Sequence, residues 1–90
     1  MADNRRDYHE IVADILRIAR SSKTKAHIMN KASVTYSQLN EYLPMLIEKG
    51  LLENMTIKQK RRTIKKYKTT EKGVEFLNRL DILDKIWTLE

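Results

Sequence analysis

Apolar residues recur along this chain with a helical period in four stretches and with a period of two in one. The change of period divides the chain into elements. Tyr8, Ile11, Val12, Ile15, Leu16 and Ala19 follow i, i+3, i+4, i+7 spacing and predict a first helix over about residues 5–20. Asp3, Asp7 and Glu10 near its start and Arg17 and Arg20 near its end suit the helix dipole. Ser21-Ser22 then interrupts it, and residues 1–7 before it read as a loose polar tail. Ile28, Met29 and Ala32 are the apolar positions of a short second helix that begins near Thr24. After Ser33-Val34 a third helix follows, whose buried stripe is Leu39, Leu43, Leu46 and Ile47.

The third helix carries its own start and stop signals. Thr35 followed by Gln38 is a capping box, in which the hydroxyl takes a free N–H and the amide reaches back to the cap. Val34 and Leu39 are placed to close a hydrophobic staple, and Gly50 suits the left-handed position that ends a helix. Ser37, Glu41 and Glu48 fall on the outer face, with Gln38 and Asn40 beside them. Pro44 interrupts the pattern, because it removes the hydrogen bond to the Asn40 carbonyl. Either the helix bends there or it ends at Leu43 and Pro44 opens a new turn; the stripe running in phase through Leu46 and Ile47 favours the bend.

Beyond Gly50, Leu51, Glu53, Met55 and Ile57 alternate with Leu52, Asn54 and Thr56, which predicts a strand. From Thr63 to Thr69 the alternation returns, with Lys65, Tyr67 and Thr69 on one side and Ile64, Lys66 and Lys68 on the other. Two such strands make a hairpin. Its tip, Lys58-Gln59-Lys60-Arg61-Arg62, has no Gly, Asn or Pro, so no tight two-residue turn is specified and a mobile tip is expected. Thr70 is placed to cap a last helix over residues 71–90, with Glu71 at the positive end of its dipole. Phe76, Leu80, Leu83 and Trp87 form one narrow seam on that helix, while Val74, Ile82 and Leu89 lie on another side. A helix apolar on two sides must bury both, and a core of this size offers one. Pairing with a second copy resolves the excess; packing of both sides within one subunit is the alternative.

Ninety residues make a single domain, with a core of three or four elements at most. There is no cysteine, which excludes disulfides and thiol chemistry and fits a reducing compartment. The first apolar cluster is interrupted by Asp14 and Arg17, so neither a signal peptide nor a membrane span is expected. Charge is the more informative quantity. Residues 51–70 hold seven basic groups and one acid, a surplus equal to the +6 of the whole chain. The seven are Lys58, Lys60, Arg61, Arg62, Lys65, Lys66 and Lys68, and Lys23, Lys25 and Lys31 add charge around the second helix. A local basic block on a small domain points to a polyanion, most often nucleic acid. A solvated face, or an address read by transport machinery, is the plainer account.

Catalysis has little support. His9 and His27 are the only histidines, and their spacing suggests no metal site. No glycine-rich loop cradles a phosphate, and Asp81 and Asp84, one turn apart, read as surface solvation. No cofactor or small-molecule ligand is expected.

The order helix, helix, capped helix, strand, basic hairpin, strand, long helix resembles the small archaeal winged helix-turn-helix DNA-binding proteins. The resemblance spans about residues 8–80 and rests on four segments. They are Lys23-Thr24-Lys25-Ala26-His27-Ile28-Met29, Val34-Thr35-Tyr36-Ser37-Gln38-Leu39 with Tyr42-Leu43, Glu48-Lys49-Gly50-Leu51-Leu52-Glu53, and Tyr67-Lys68-Thr69-Thr70-Glu71-Lys72-Gly73. It implies an α+β, mostly helical fold with a three-helix core, a two-stranded basic wing and a C-terminal helix. It also implies that residues 35–50 form the recognition helix, that residues 58–63 form the wing, and that the last helix pairs with its copy in an antiparallel coiled coil. Pro44 and the shortness of the last helix depart from the family pattern.

The resulting expectation is a dimeric, cytoplasmic, nucleoid-associated protein on double-stranded DNA, most simply a transcriptional regulator. Tyr36, Ser37, Gln38 and Asn40 would read bases, and the ten lysines and arginines named above would hold phosphates. Phe76, Leu80, Leu83 and Trp87 would make the dimer. The rivals are an architectural protein that coats DNA with little base preference, and a winged helix that docks an acidic protein partner.

Overall fold

The computed structural model describes residues 8–88, without the side chains of Asp84, Trp87 and Thr88. The expected N-terminal tail, and the parts of Trp87 and Leu89 in a seam, therefore lie outside the described residues. Helix α1 runs Tyr8–Ile18 and tightens into a 3-10 turn at Ala19–Ser21. Strand β1 is Lys23–Thr24, followed by α2 at Lys25–Ala32 and α3 at Tyr36–Glu48. The hairpin is β2 at Leu52–Gln59 with β3 at Arg62–Thr69, and α4 is Glu71–Thr88.

Helices α2, α3 and α4 each start where a threonine hydroxyl meets an orphan N–H. Thr24 accepts from the His27 N–H at 3.3 Å, Thr35 from Gln38 at 3.1 Å and Thr70 from Gly73 at 3.0 Å. The second half of the α3 box is present too, as the Thr35 N–H donates to Gln38 Oε1 at 2.9 Å. Helix α2 ends at Ser33, which takes a left-handed φ of 57°. Helix α3 ends in a Schellman motif. Gly50, at φ 78°, donates to the Ile47 carbonyl, and the Leu51 N–H donates to that of Leu46. Pro44 lies inside α3 and is exposed; the helix continues through it, so no second turn starts there.

The core is one layer of α1, α2 and α3 closed by the base of the hairpin and the start of α4. Ile11, Val12, Ile15, Leu16, Ile28, Leu39, Leu43, Leu46, Leu52 and Leu77 are all buried in it. Ala13 is buried as well, because α1 is covered by α2 on one side and α4 on the other. Two threonines tie the sheet to the helices. Thr69, 5% exposed, donates to the Leu16 carbonyl at 2.6 Å, and Thr70 donates to the Gly50 carbonyl at 2.6 Å. Gly73 lies so close to the chain above it that an added Cβ would stand 2.3 Å from the Leu51 carbonyl oxygen.

The sheet has three strands, not two, in the order β1-β3-β2, all antiparallel. The added strand pairs Lys23 with Tyr67 and Thr24 with Lys66. Two residues carry no periodicity, which is why β1 is invisible to a pattern reading. The hairpin tip also differs from expectation. Gln59 pairs with Arg62, so Lys60-Arg61 is a tight two-residue turn. Lys60 supplies its left-handed φ of 47° without the usual Gly or Asn.

Candidate nucleic-acid interface

Two surfaces carry the chemistry that the sequence singled out. The first is the head of α3, where Tyr36, Ser37, Gln38 and Asn40 are all exposed while Leu39 between them is fully buried. Tyr36 is 61% exposed, an uncommon position for an aromatic ring. Lys25, at the start of α2, reaches across to this group. Its ammonium lies over the Tyr36 ring, 4.2 Å from the centroid, and donates to Asn40 Oδ1. The helix-turn-helix thus brings a residue expected on phosphate together with two expected on bases. Gln38 is likewise committed in part, since its carbonyl oxygen is held by the capping box.

The second surface is the wing. Register places Glu53, Met55, Ile57, Gln59, Arg62, Ile64, Lys66 and Lys68 on one face of the hairpin. Leu52, Asn54, Thr56, Lys58, Thr63, Lys65, Tyr67 and Thr69 take the other. The seven cations are therefore split between two faces, with Lys60 and Arg61 at the turn. Among the described residues none of the seven is in an ion pair. Lys68 sits directly opposite Glu53, and Lys66 is half-buried in the central strand between Met55 and Thr24. Lys58, Lys60, Arg61, Arg62 and Lys65 are the exposed cations nearest the tip. Lys31 is exposed at the end of α2, and Lys23 is half-buried in β1.

Helix α4 divides differently from the seam expected of it. Leu77 is buried in the core, and Phe76 and Leu80 pack half-buried against that same core within the chain. Leu83 is 62% exposed, and Ile82 and Ile86 beside it are exposed to 56% and 61%. Of the seam residues with described side chains, only Leu83 stays free of the core, and its exposed companions are Ile86 and Ile82, the latter read from the sequence as lying on another side of the helix. The reason is that the body reaches only the first turns of α4. Arg17 of α1 meets Asp81 at 2.9 Å, and beyond that ion pair the apolar side chains described are exposed.

One open cleft of about 250 Å³ is lined by Tyr8, Val12, Met45, Leu46, Leu51 and Phe76 among others. Among the described residues no group of His, Asp and Glu could hold a metal ion, and no helix is long and apolar enough to cross a membrane.

Comparison with known proteins agrees with this architecture. The solved structure of Sso10a-2, a DNA-binding protein from Sulfolobus solfataricus, superposes with a TM-score of 0.79 at 28% identity, over 92% of this chain and 83% of that one. ZitR of Lactococcus lactis, a zinc-responsive MarR family member, superposes with a TM-score of 0.65 at 16% identity, over 97% of this chain and 63% of that one. At that identity the second likeness is one of fold. No curated protein matches the chain. The family model for the winged helix-turn-helix matches residues 5–87, and with the capped α3, the turn before it and the β2–β3 wing in place, the chain belongs to the winged helix-turn-helix family.

Proposed function

We propose that this protein binds double-stranded DNA as a homodimer and regulates transcription, with the head of α3 in the major groove and the wing and α2 on phosphates. The observation that carries the reading is the wing: seven cations without an ion pair among the described residues, on a hairpin that follows a helix with an exposed polar head. The DNA-binding neighbour Sso10a-2, which the chain matches over most of both lengths, supports it. On this reading Lys58, Lys60, Arg61, Arg62 and Lys65 contact phosphates first, and Lys66 and Lys68 contribute less because of their neighbours in the sheet. Ile82, Leu83 and Ile86 supply the dimer contact, which takes the exposed apolar side of α4 out of water. A DNA-bound role places the protein in the cytoplasm, on the nucleoid.

Each phosphate neutralised contributes about −0.9 to the slope of log affinity against log salt. Changing Lys60, Arg61 and Arg62 together to Ala should flatten that slope by roughly 2 to 3 units and weaken all duplexes alike. Fluorescence anisotropy with random duplex DNA over a salt series measures it, and an unchanged slope removes the wing from the interface. A second reading, low-specificity coating of DNA, is favoured by the outer face of α3 beyond its head, where Glu41, Pro44 and Glu48 offer phosphate or bases little. The ratio of affinity for selected sites to affinity for competitor DNA separates the two.

A further inference from the structure

In the sheet order β1-β3-β2, strand β2 has a partner on one side only, so its other edge is open among the described residues. That edge is long and unbroken. Pairing with β3 runs from Leu52 to Gln59 without a skipped residue, so no bulge bends it, and the strand holds no proline. The phase of the ladder decides which groups face outward. The Lys60-Arg61 turn closes on Gln59 and Arg62 as a hydrogen-bonded pair, and at the other end the Thr70 N–H donates to the Leu51 carbonyl at 3.1 Å. Odd-numbered residues of β2 therefore bond to β3, and the N–H and C=O groups of Asn54, Thr56 and Lys58 point to the open edge. All three residues are exposed. Natural sheets block such an edge with lysines, proline or a bulge. Here the charge sits one strand away. Arg62, Lys65, Lys66 and Lys68 are on β3, whereas β2 holds one acid, Glu53, and one base, Lys58.

We propose that β2 pairs edge to edge with β2 of a second copy bound beside it on DNA, about a two-fold axis at Thr56. Such an axis keeps like faces of the two hairpins on one side. Centring on Thr56 sets Met55 of each copy opposite Ile57 of the other, Lys58 opposite Asn54, and Glu53 opposite Gln59. Apolar then meets apolar, and no like charges meet. Centring on Met55 would oppose Ile57 to Glu53, and centring on Ile57 would oppose Met55 to Gln59. The antiparallel arrangement sends the two helical bodies to opposite ends, and two three-stranded sheets become one. Two wings of seven cations each repel one another in free solution, and DNA phosphates offset that repulsion. To that extent the inference rests on the DNA-binding reading.

Cooperative binding tests the pairing. The native protein should bind each site of a duplex long enough for several dimers about ten- to a hundredfold more tightly than a duplex that holds one, because neighbours meet at high effective concentration. Thr56→Lys sets two ammonium groups against each other at the axis, and Thr56→Pro removes an outward N–H that β3 does not use. Each should abolish the gain on the long duplex, and Thr56→Lys should bind the short duplex no more weakly than the native protein. Thr56→Cys supplies the one thiol of the chain. On long DNA, with diamide as oxidant, it should link copies by a disulfide, since a hydrogen-bonded pair sets its Cα atoms about 5.5 Å apart. Thr63→Cys, on β3 and away from the axis, should not. Circular dichroism confirms the fold of each variant. Equal affinity of the native protein for both duplexes, a gain that survives both Thr56 variants, or equal cross-linking by the two cysteine variants overturns the proposal and leaves the DNA-binding reading in place. Failure of the native protein to bind any duplex at modest salt removes that reading, and this inference with it.

Discussion

Gly73 shows how one residue can be set by a contact and not by its own backbone. It lies in the first turn of α4, where an added Cβ would meet the Leu51 carbonyl oxygen at 2.3 Å and the Thr69 methyl at 2.5 Å. The first of these neighbours is backbone, and its segment is tied down. The Leu51 carbonyl accepts from Thr70, and the Leu51 N–H holds the end of α3. Gly73→Ala must therefore push α4 away from the α3–β2 junction. The expected cost is about 1–3 kcal/mol, as for overpacking in a core, even though Ala is the better helix former. For a domain of this size each kcal/mol shifts the midpoint of thermal unfolding by roughly 4–8 °C. A scan showing an unchanged or higher midpoint would mean that the close approach is absent in solution. Thr69 is the complementary case, a buried hydroxyl whose only role visible here is to satisfy the carbonyl of Leu16.

Helix α3 is the element in which local rules disagree. Its capping box and its Schellman motif define both ends, while Pro44 removes a hydrogen bond within it. The helix tolerates this because Pro44 and Asn40 are both exposed, so the freed carbonyl of Asn40 has access to water. Pro44→Ala should restore the missing bond and stabilise the protein. The gain is expected at about 1–2 kcal/mol, because the greater freedom of the unfolded chain offsets part of the helix term. Denaturant titration reports the change as a higher midpoint at constant slope. A lower midpoint would show instead that Leu43 and Leu46 pack well only along a helix bent by Pro44. The wing poses the opposite problem, since its turn uses a Lys at positive φ where Asn or Gly would be unstrained. That choice adds a cation at the tip, where the DNA-binding reading needs one.

At the scale of the whole molecule, the exposed apolar side of α4 decides what one chain cannot do alone. Ile82, Leu83 and Ile86 are each more than half exposed, beyond the reach of the body that buries Leu77. A two-fold pairing of α4 with its copy would cover them and set two α3 helices on one duplex. Leu83→Lys with Ile86→Lys should then yield a folded monomer, because neither side chain contributes to the protomer core. DNA binding should weaken strongly with the loss of the second half-site. Sedimentation at micromolar concentration is the measurement, and a monomeric native protein there would refute the dimer. These variants probe a different step from those in the wing, which should weaken DNA binding without changing the oligomeric state.

Whatever depends on neighbours within one helix or one strand was legible in the sequence. The Thr35 and Thr70 caps, the Gly50 stop, the α1 and α3 stripes and the alternation of the hairpin all rest on short sequence separations. The basic block and the exposed polar head of α3 could be read in the same way, because charge and amphipathic phase are local properties. The tertiary structure alone decided the rest. Strand β1 exists because Lys23 and Thr24 meet Tyr67 and Lys66, residues far along the chain. The exposed side of α4 depends on where α1 stops covering it, and Gly73 answers to a carbonyl of another segment. Lys25, Tyr36 and Asn40 form one group only because the turn at Ser33 brings α2 against α3.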